Sequence, residues 1–111
     1  MSNGVRIYVE GRITVEGTSN CPVYFDYAGG GDHMGIQFNS TSNGRGSRID
    51  NASIIHSTYG LTIYGSDPYL ANVTIWNADD VAVDMFNSAT PTIRDMIIDE
   101  AGQDWNFPTY W

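Results

Sequence analysis

The chain has no lysine, one cysteine, four prolines and only five arginines against thirteen acidic residues. Each shortage excludes something. A formal net charge of −8 without any lysine is a poor match for nucleic acid or an anionic membrane surface, which both select basic patches. A lone cysteine, Cys21, rules out an intrachain disulfide. Beside Pro22 at a strand entrance it reads as a small buried residue, with an intermolecular bridge as the alternative. No apolar run reaches the roughly 18 residues that crossing a bilayer requires, and no signal peptide is recognisable. Helical periodicity is scarce as well. The nearest stretch, Asp79 to Phe86, alternates through Val81, Ala82 and Val83 and so favours a strand.

What is present is repetition. The phrases Ile49-Asp50-Asn51-Ala52-Ser53-Ile54, Leu70-Ala71-Asn72-Val73-Thr74-Ile75 and Ile93-Arg94-Asp95-Met96-Ile97-Ile98 recur at intervals of 21 and 23 residues. A period of about 20–30 residues with short β-type runs marks a solenoid rather than a globular domain. Superposition aligns Ile49 with Leu70 and Ile93, Ala52 with Val73 and Met96, and Ile54 with Ile75 and Ile98. Alternation with period two puts these apolar columns inside and the intervening Asp, Ser, Thr, Ala and Arg residues in water. The five-residue offset from Ile49 to Ile54 contains an odd step, so the strand must bend near the Asn. An amide at that bend is expected to bond the Asn one coil away. The resulting ladder of Asn51, Asn72 and Asp95 would satisfy turn groups otherwise buried unpaired. A carboxylate only accepts, so the Asp95 rung should be weaker or lie at an exposed end.

A second set of runs precedes the first: Gly35-Ile36-Gln37-Phe38, Gly60-Leu61-Thr62-Ile63 and Ala82-Val83-Asp84-Met85. Ser66-Asp67-Pro68 and Ser88-Ala89-Thr90-Pro91 then turn the chain into the Asn phrase, at corners where proline is tolerated. Val5, Ile7 and Val9 make an opening strand. Gly11-Arg-Ile-Thr-Val-Glu-Gly17 and Pro22-Val-Tyr-Phe25 complete the first coil.

Together these segments, with Pro68-Tyr-Leu-Ala-Asn-Val-Thr-Ile75, resemble the right-handed parallel β-helix of pectin-lyase-like solenoids found in secreted and archaeal cell-surface proteins. The resemblance covers roughly residues 5–100. It implies an all-β fold of about four to five coils with no large helices, and an extracellular or cell-surface location. Departures from the pattern are the polar insertion Asn39 to Gly46, Ala82 where glycine is expected, and Asp95 in the ladder. The fold hosts lyases, hydrolases, epimerases, adhesins and structural parts, so function must come from the residues.

Polygalacturonase-like members use paired aspartates, a Gly-His-Gly segment and a basic Arg-Ile-Lys segment. Here Asp79-Asp80 is a bare acidic pair, Gly31-Asp32-His33 is not Gly-His-Gly, and the basic segment is missing. For a lyase-like set only Asp84, Asp95, Asp99 and Arg94 qualify, and stacking next to opposite charge explains Arg94 equally well. No catalytic residue and no cofactor is therefore assigned, and the chain is not expected to be an enzyme. Asp79, Asp80 and Asp84, with Asp99, Glu100 and Asp104 nearby, are weak calcium candidates without known motif spacing. His33 and His56 are isolated and read as surface or capping residues. Of three Asn-x-Ser/Thr sequons only that at Asn39 is a credible, weak glycan acceptor, because Asn51 and Asn72 fall in the ladder.

Residues 1–104 are expected to form the solenoid and residues 105–111 an aromatic tail carrying Trp105, Phe107, Tyr110 and Trp111. The tail reads either as a cap over the last coil or as a peg contacting the next subunit. Parallel coils leave unpaired backbone at both ends, a template for more strand, and no amphipathic helix closes the start. The chain is thus expected to be a piece of a longer solenoid or a subunit closed by neighbours. Charge supports polarity: residues 1–50 carry −1 and residues 51–111 carry −7, although simple drift of surface charge would give the same numbers. The expected function is a structural module stacking head to tail, with copies of itself or flanking coils as partners, into a rod or fibre. The alternative is a carbohydrate-binding or polysaccharide-degrading domain cut from a larger secreted protein, the aromatic tail then stacking on sugars.

Overall fold

A computed structural model describes residues 6–26 and 33–106. The fold is all-β and its strands pair in parallel. Nine strands follow in order: β1 (Arg6–Val9), β2 (Thr14–Glu16), β3 (Val23–Phe25), β4 (Gly35–Phe38), β5 (Arg48–Tyr64), β6 (Tyr69–Phe86), β7 (Thr92–Arg94), β8 (Ile97–Asp99) and β9 (Gln103–Asn106). The first two Asn phrases and the runs that follow them, separate in the sequence pattern, fuse into the long strands β5 and β6. A 3-10 turn, Ser40–Ser42, sits in the polar insertion.

Pairing falls into three ladders, each crossing β5 and β6 at a different segment. The first stacks Ile7, Ile36, Leu61, Val83 and Trp105. The second stacks Val15, Ile49, Leu70 and Ile93. The third stacks Phe25, Ile54, Ile75 and Ile98. β5 therefore has β2, β3 and β4 along one side and β6 along the other, and β6 carries β7, β8 and β9 on its far side. Among the described residues the sheet is open: β1, β2 and β3 each have one neighbour, as do β7, β8 and β9.

The alternating pattern explains the core. Ile36, Phe38, Ile49, Ile54, Leu61, Ile63, Leu70, Val73 and Ile75 are fully buried and belong to one cluster, each contributing about 1.5–3 kcal/mol of transfer free energy. Small residues are required where the chain turns toward this cluster. A Cβ on Gly60 would stand 2.7 Å from Ile75 Cγ2. Gly35, at φ +87, would place one 1.8 Å from the Tyr59 carbonyl oxygen, so no other residue fits there without backbone movement.

Candidate functional site

Bends let one strand serve three ladders. Asn51, Asn72 and Asp95 have φ of 53, 52 and 53, the left-handed conformation that Asn and Asp tolerate best after glycine. The amides do not bond one another as the sequence suggests. Asn51 Nδ2 donates to the Gly17 carbonyl at 3.3 Å and to Asp50 Oδ1 at 3.2 Å, and Asn72 Nδ2 donates to the same Asp50 Oδ1 at 3.2 Å. A charged oxygen is the stronger acceptor, so Asp50 takes both amides. Arg48 Nη2 also donates to Asp50, at 3.2 Å. Asp95 is exposed, in the last copy of the bend.

A second bend column was not legible beforehand: His56, Asn77 and Glu100 have φ of 55, 60 and 53. Its members recur at the same intervals of 21 and 23 residues, which was the available signal, but their side chains share no chemistry.

Burial of the expected columns depends on position in the stack. Ile49, Leu70, Ala52, Val73, Ile54 and Ile75 are at most 2 % exposed. Ile93, Met96 and Ile98, in the last copy, are half-buried against the same cluster. The expected boundary between residues 104 and 105 falls inside β9. Trp105 packs against the core cluster as the fifth member of the first ladder, so it is a sheet residue and not the start of a separate tail. Phe107, Tyr110 and Trp111 fall outside the described residues.

The acidic residues are dispersed. Asp79 and Asp80 are exposed, whereas Asp84 is 7 % exposed on β6, beside Thr62 of β5. The Tyr59 hydroxyl donates to Asp80; that bond and the negative charges of Asp80 and Asp84 raise the phenol above its ordinary pKa. Arg6 lies over the Tyr59 ring at 5.4 Å and bonds Gln37 Oε1. Among the described residues no three His, Cys, Asp or Glu side chains converge as a metal site would require. The Asp84, Asp95, Asp99 and Arg94 set is divided among β6, β7, β8 and the bend between β7 and β8.

His33 is buried and neutral, not a surface residue. Its Nε2–H is directed at the carbonyls of Ile55 (2.9 Å) and Phe25 (3.3 Å), while Nδ1 accepts from the Gly35 amide at 3.0 Å. Desolvation holds its pKa below the usual imidazole value. His56 is partly exposed, 2.8 Å from Asp26 and edge-on to Trp76. Asn39 donates to Glu10 and accepts from Gln37 Nε2 at 2.6 Å, so a glycan on its amide would have to break the Glu10 contact. Thr41 reinforces Glu10, and the two bonds lower that carboxyl below its usual range. Cys21 is exposed, correcting its expected burial. It closes a turn in which its amide donates to Thr18 Oγ1 at 3.0 Å, directing the side chain outward.

The remaining candidate is the pair of sheet edges. Row by row, the exposed residues at the edges differ from those in the middle, where Ala71 is buried. One row runs Glu16, Asp50, Ala71, Arg94, and another runs Tyr24, Ser53, Thr74, Ile97. Tyr24 and Ile97, at the two ends of the latter, are 62 % and 61 % exposed, with polar residues between them. No family model matches the chain, and no characterised protein or solved structure was found to be significantly similar to it.

Proposed function

We propose that the parallel sheet winds as a short right-handed β-solenoid of the pectin-lyase-like kind. Its function is structural: it stacks end to end, on copies of itself or on flanking coils, into a rod or fibre outside the cell. The observation that carries the proposal is that the apolar columns continue to both edges. Val15 and Phe25 stand at one edge of the second and third ladders, and Ile93 and Ile98 at the other. An edge of unpaired parallel strand is a template for further strand. Extending a column over a second copy buries apolar surface that the last repeat leaves half-exposed. The acidic second half and near-neutral first half favour head-to-tail over head-to-head contact.

Sedimentation across a hundredfold concentration range, with negative-stain imaging of the concentrated sample, tests this. Unbranched rods that lengthen with concentration are expected. A monodisperse monomer at every concentration and salt would refute it.

A further inference from the structure

The ladders are unequal, and this has a consequence for how copies join. Among the described residues the first ladder holds five rungs, from Ile7 to Trp105, whereas the second and third hold four. A second copy seated with its β2 on β7 and its β3 on β8 must bring its β1 to the rung beside β6. β9 already occupies that rung, pairing Trp105 with Val83 and Asn106 with Asp84. Seating it one rung higher, above β9, would leave β7 and β8 without a second neighbour among the described residues.

We propose that β9 is a displaceable strand holding the place of the incoming β1, so that end-to-end joining requires β9 to leave its rung on β6. This rests on the end-to-end reading above and adds to it the register of the joint and the element that controls it.

Charge and shape at that register support it. Carrying the observed pairing forward by four rungs sets Glu16 of the second copy opposite Arg94, and its Val15 opposite Ile93. Arg94 and Glu16 are both exposed, and the ion pairs among the described residues use neither. Tyr24 of the second copy meets Ile97, joining the two most exposed large apolar side chains of the described residues. In the first ladder its Ile7 replaces Trp105 on Val83, and its Tyr8 comes opposite Asp84. Its Arg6 then stands on the face that Asp80 and Asp84 make acidic. One rung opposes the joint: continuing the third ladder by one residue puts Asp99 opposite Asp26, whose carboxylate is shared with His56 at 2.8 Å.

The test is sedimentation of the full chain and point variants, with circular dichroism to check folding. Trp105→Ala weakens β9 on β6 and is expected to tighten self-association about tenfold, because it raises the fraction of chains with the rung open. Trp105→Thr, a gentler change, serves if the alanine variant does not fold. In either background Arg94→Glu or Glu16→Arg is expected to weaken association about tenfold, and the two together to restore it, since each joint again faces opposite charges. Association of the Trp105 variants that ignores both charge reversals would be non-specific adhesion and would overturn the proposal. So would rods of the unmodified protein that are unaffected by Trp105 substitution, although those leave the end-to-end reading standing. Monomer in every variant overturns both.

Discussion

The two long strands and the short strands flanking them draw on the same columns of residues but hold them differently. In β5 and β6 the members of the three ladders, Ile49, Ile54, Leu61, Leu70, Ile75 and Val83, have a neighbour on both sides. Ile54 and Ile75 are accordingly 0 % exposed. In β7 and β8 the equivalent Ile93 and Ile98 have one neighbour among the described residues, and they remain half-buried. The pattern is the same; what changes is the number of rungs above and below. A parallel sheet built this way has its best-packed columns in the middle and its unmet pairing capacity at the edges.

Mutation should expose the contrast most sharply in the third ladder. Ile75→Ala is expected to cost about 3–4 kcal/mol, as for other large-to-small core changes. Ile98→Ala should cost less than about half of that, since its site is already open on one side. Urea unfolding at a concentration too low for assembly measures both. Equal losses would mean that the last repeat is as well packed as the middle.

The bends provide a smaller version of the same contrast. Asn51→Ala puts an alanine at φ 53 and removes the donor to Gly17 and Asp50; about 1–2 kcal/mol is expected. Asp95→Ala shares the conformational cost without those bonds and should lose about 1 kcal/mol. Asn72→Gly, which keeps the left-handed backbone comfortable, should stay within about 0.5 kcal/mol of the parent. A loss at Asn72→Gly equal to that at Asn51→Ala would show that the amide bonds, rather than the backbone conformation, are what the bend selects.

The two histidines contrast by burial. His33 is buried among backbone groups with its pKa lowered by desolvation, so the unfolded chain binds the proton more readily. Its contribution is complete above the ordinary imidazole pKa of about 6.5 and is lost as pH falls through the lower folded value. Unfolding free energy should therefore decline on acidification from pH 7 to pH 5, more steeply than in His33→Gln. His56→Asn, which removes the half-exposed pair with Asp26 but keeps a residue that tolerates the φ of 55, should change stability by less than about 0.5 kcal/mol.

How much of this was legible in the sequence depended on whether neighbouring repeats carry similar side chains. The columns through Ile49, Ala52 and Ile54 could be aligned because each repeat replaces one apolar residue with another. The bends at Asn51, Asn72 and Asp95 were visible for the same reason, since short polar residues share a tolerance of positive φ. Their bonding was not: the shared acceptor, Asp50, precedes only the first Asn, and a one-repeat feature leaves no periodic trace. The column of His56, Asn77 and Glu100 has the right spacing but mixed chemistry. His33 is buried because carbonyls of Phe25 and Ile55 approach it across the fold, which no spacing reveals. Trp105 was obscured by composition, as the aromatic residues after it suggest a tail while its own register makes it a fifth rung. That rung is the basis of the strand exchange proposed above.

The axial repeat of rods grown from the concentrated protein tests the account most directly. Four rungs per copy, with β9 displaced by the incoming β1, give a rise of about 19 Å at the usual parallel-strand spacing. Helical reconstruction from cryo-electron micrographs should return that value. A rise of about 24 Å, five rungs per copy, would mean that β9 stays in place and would contradict the joint described above.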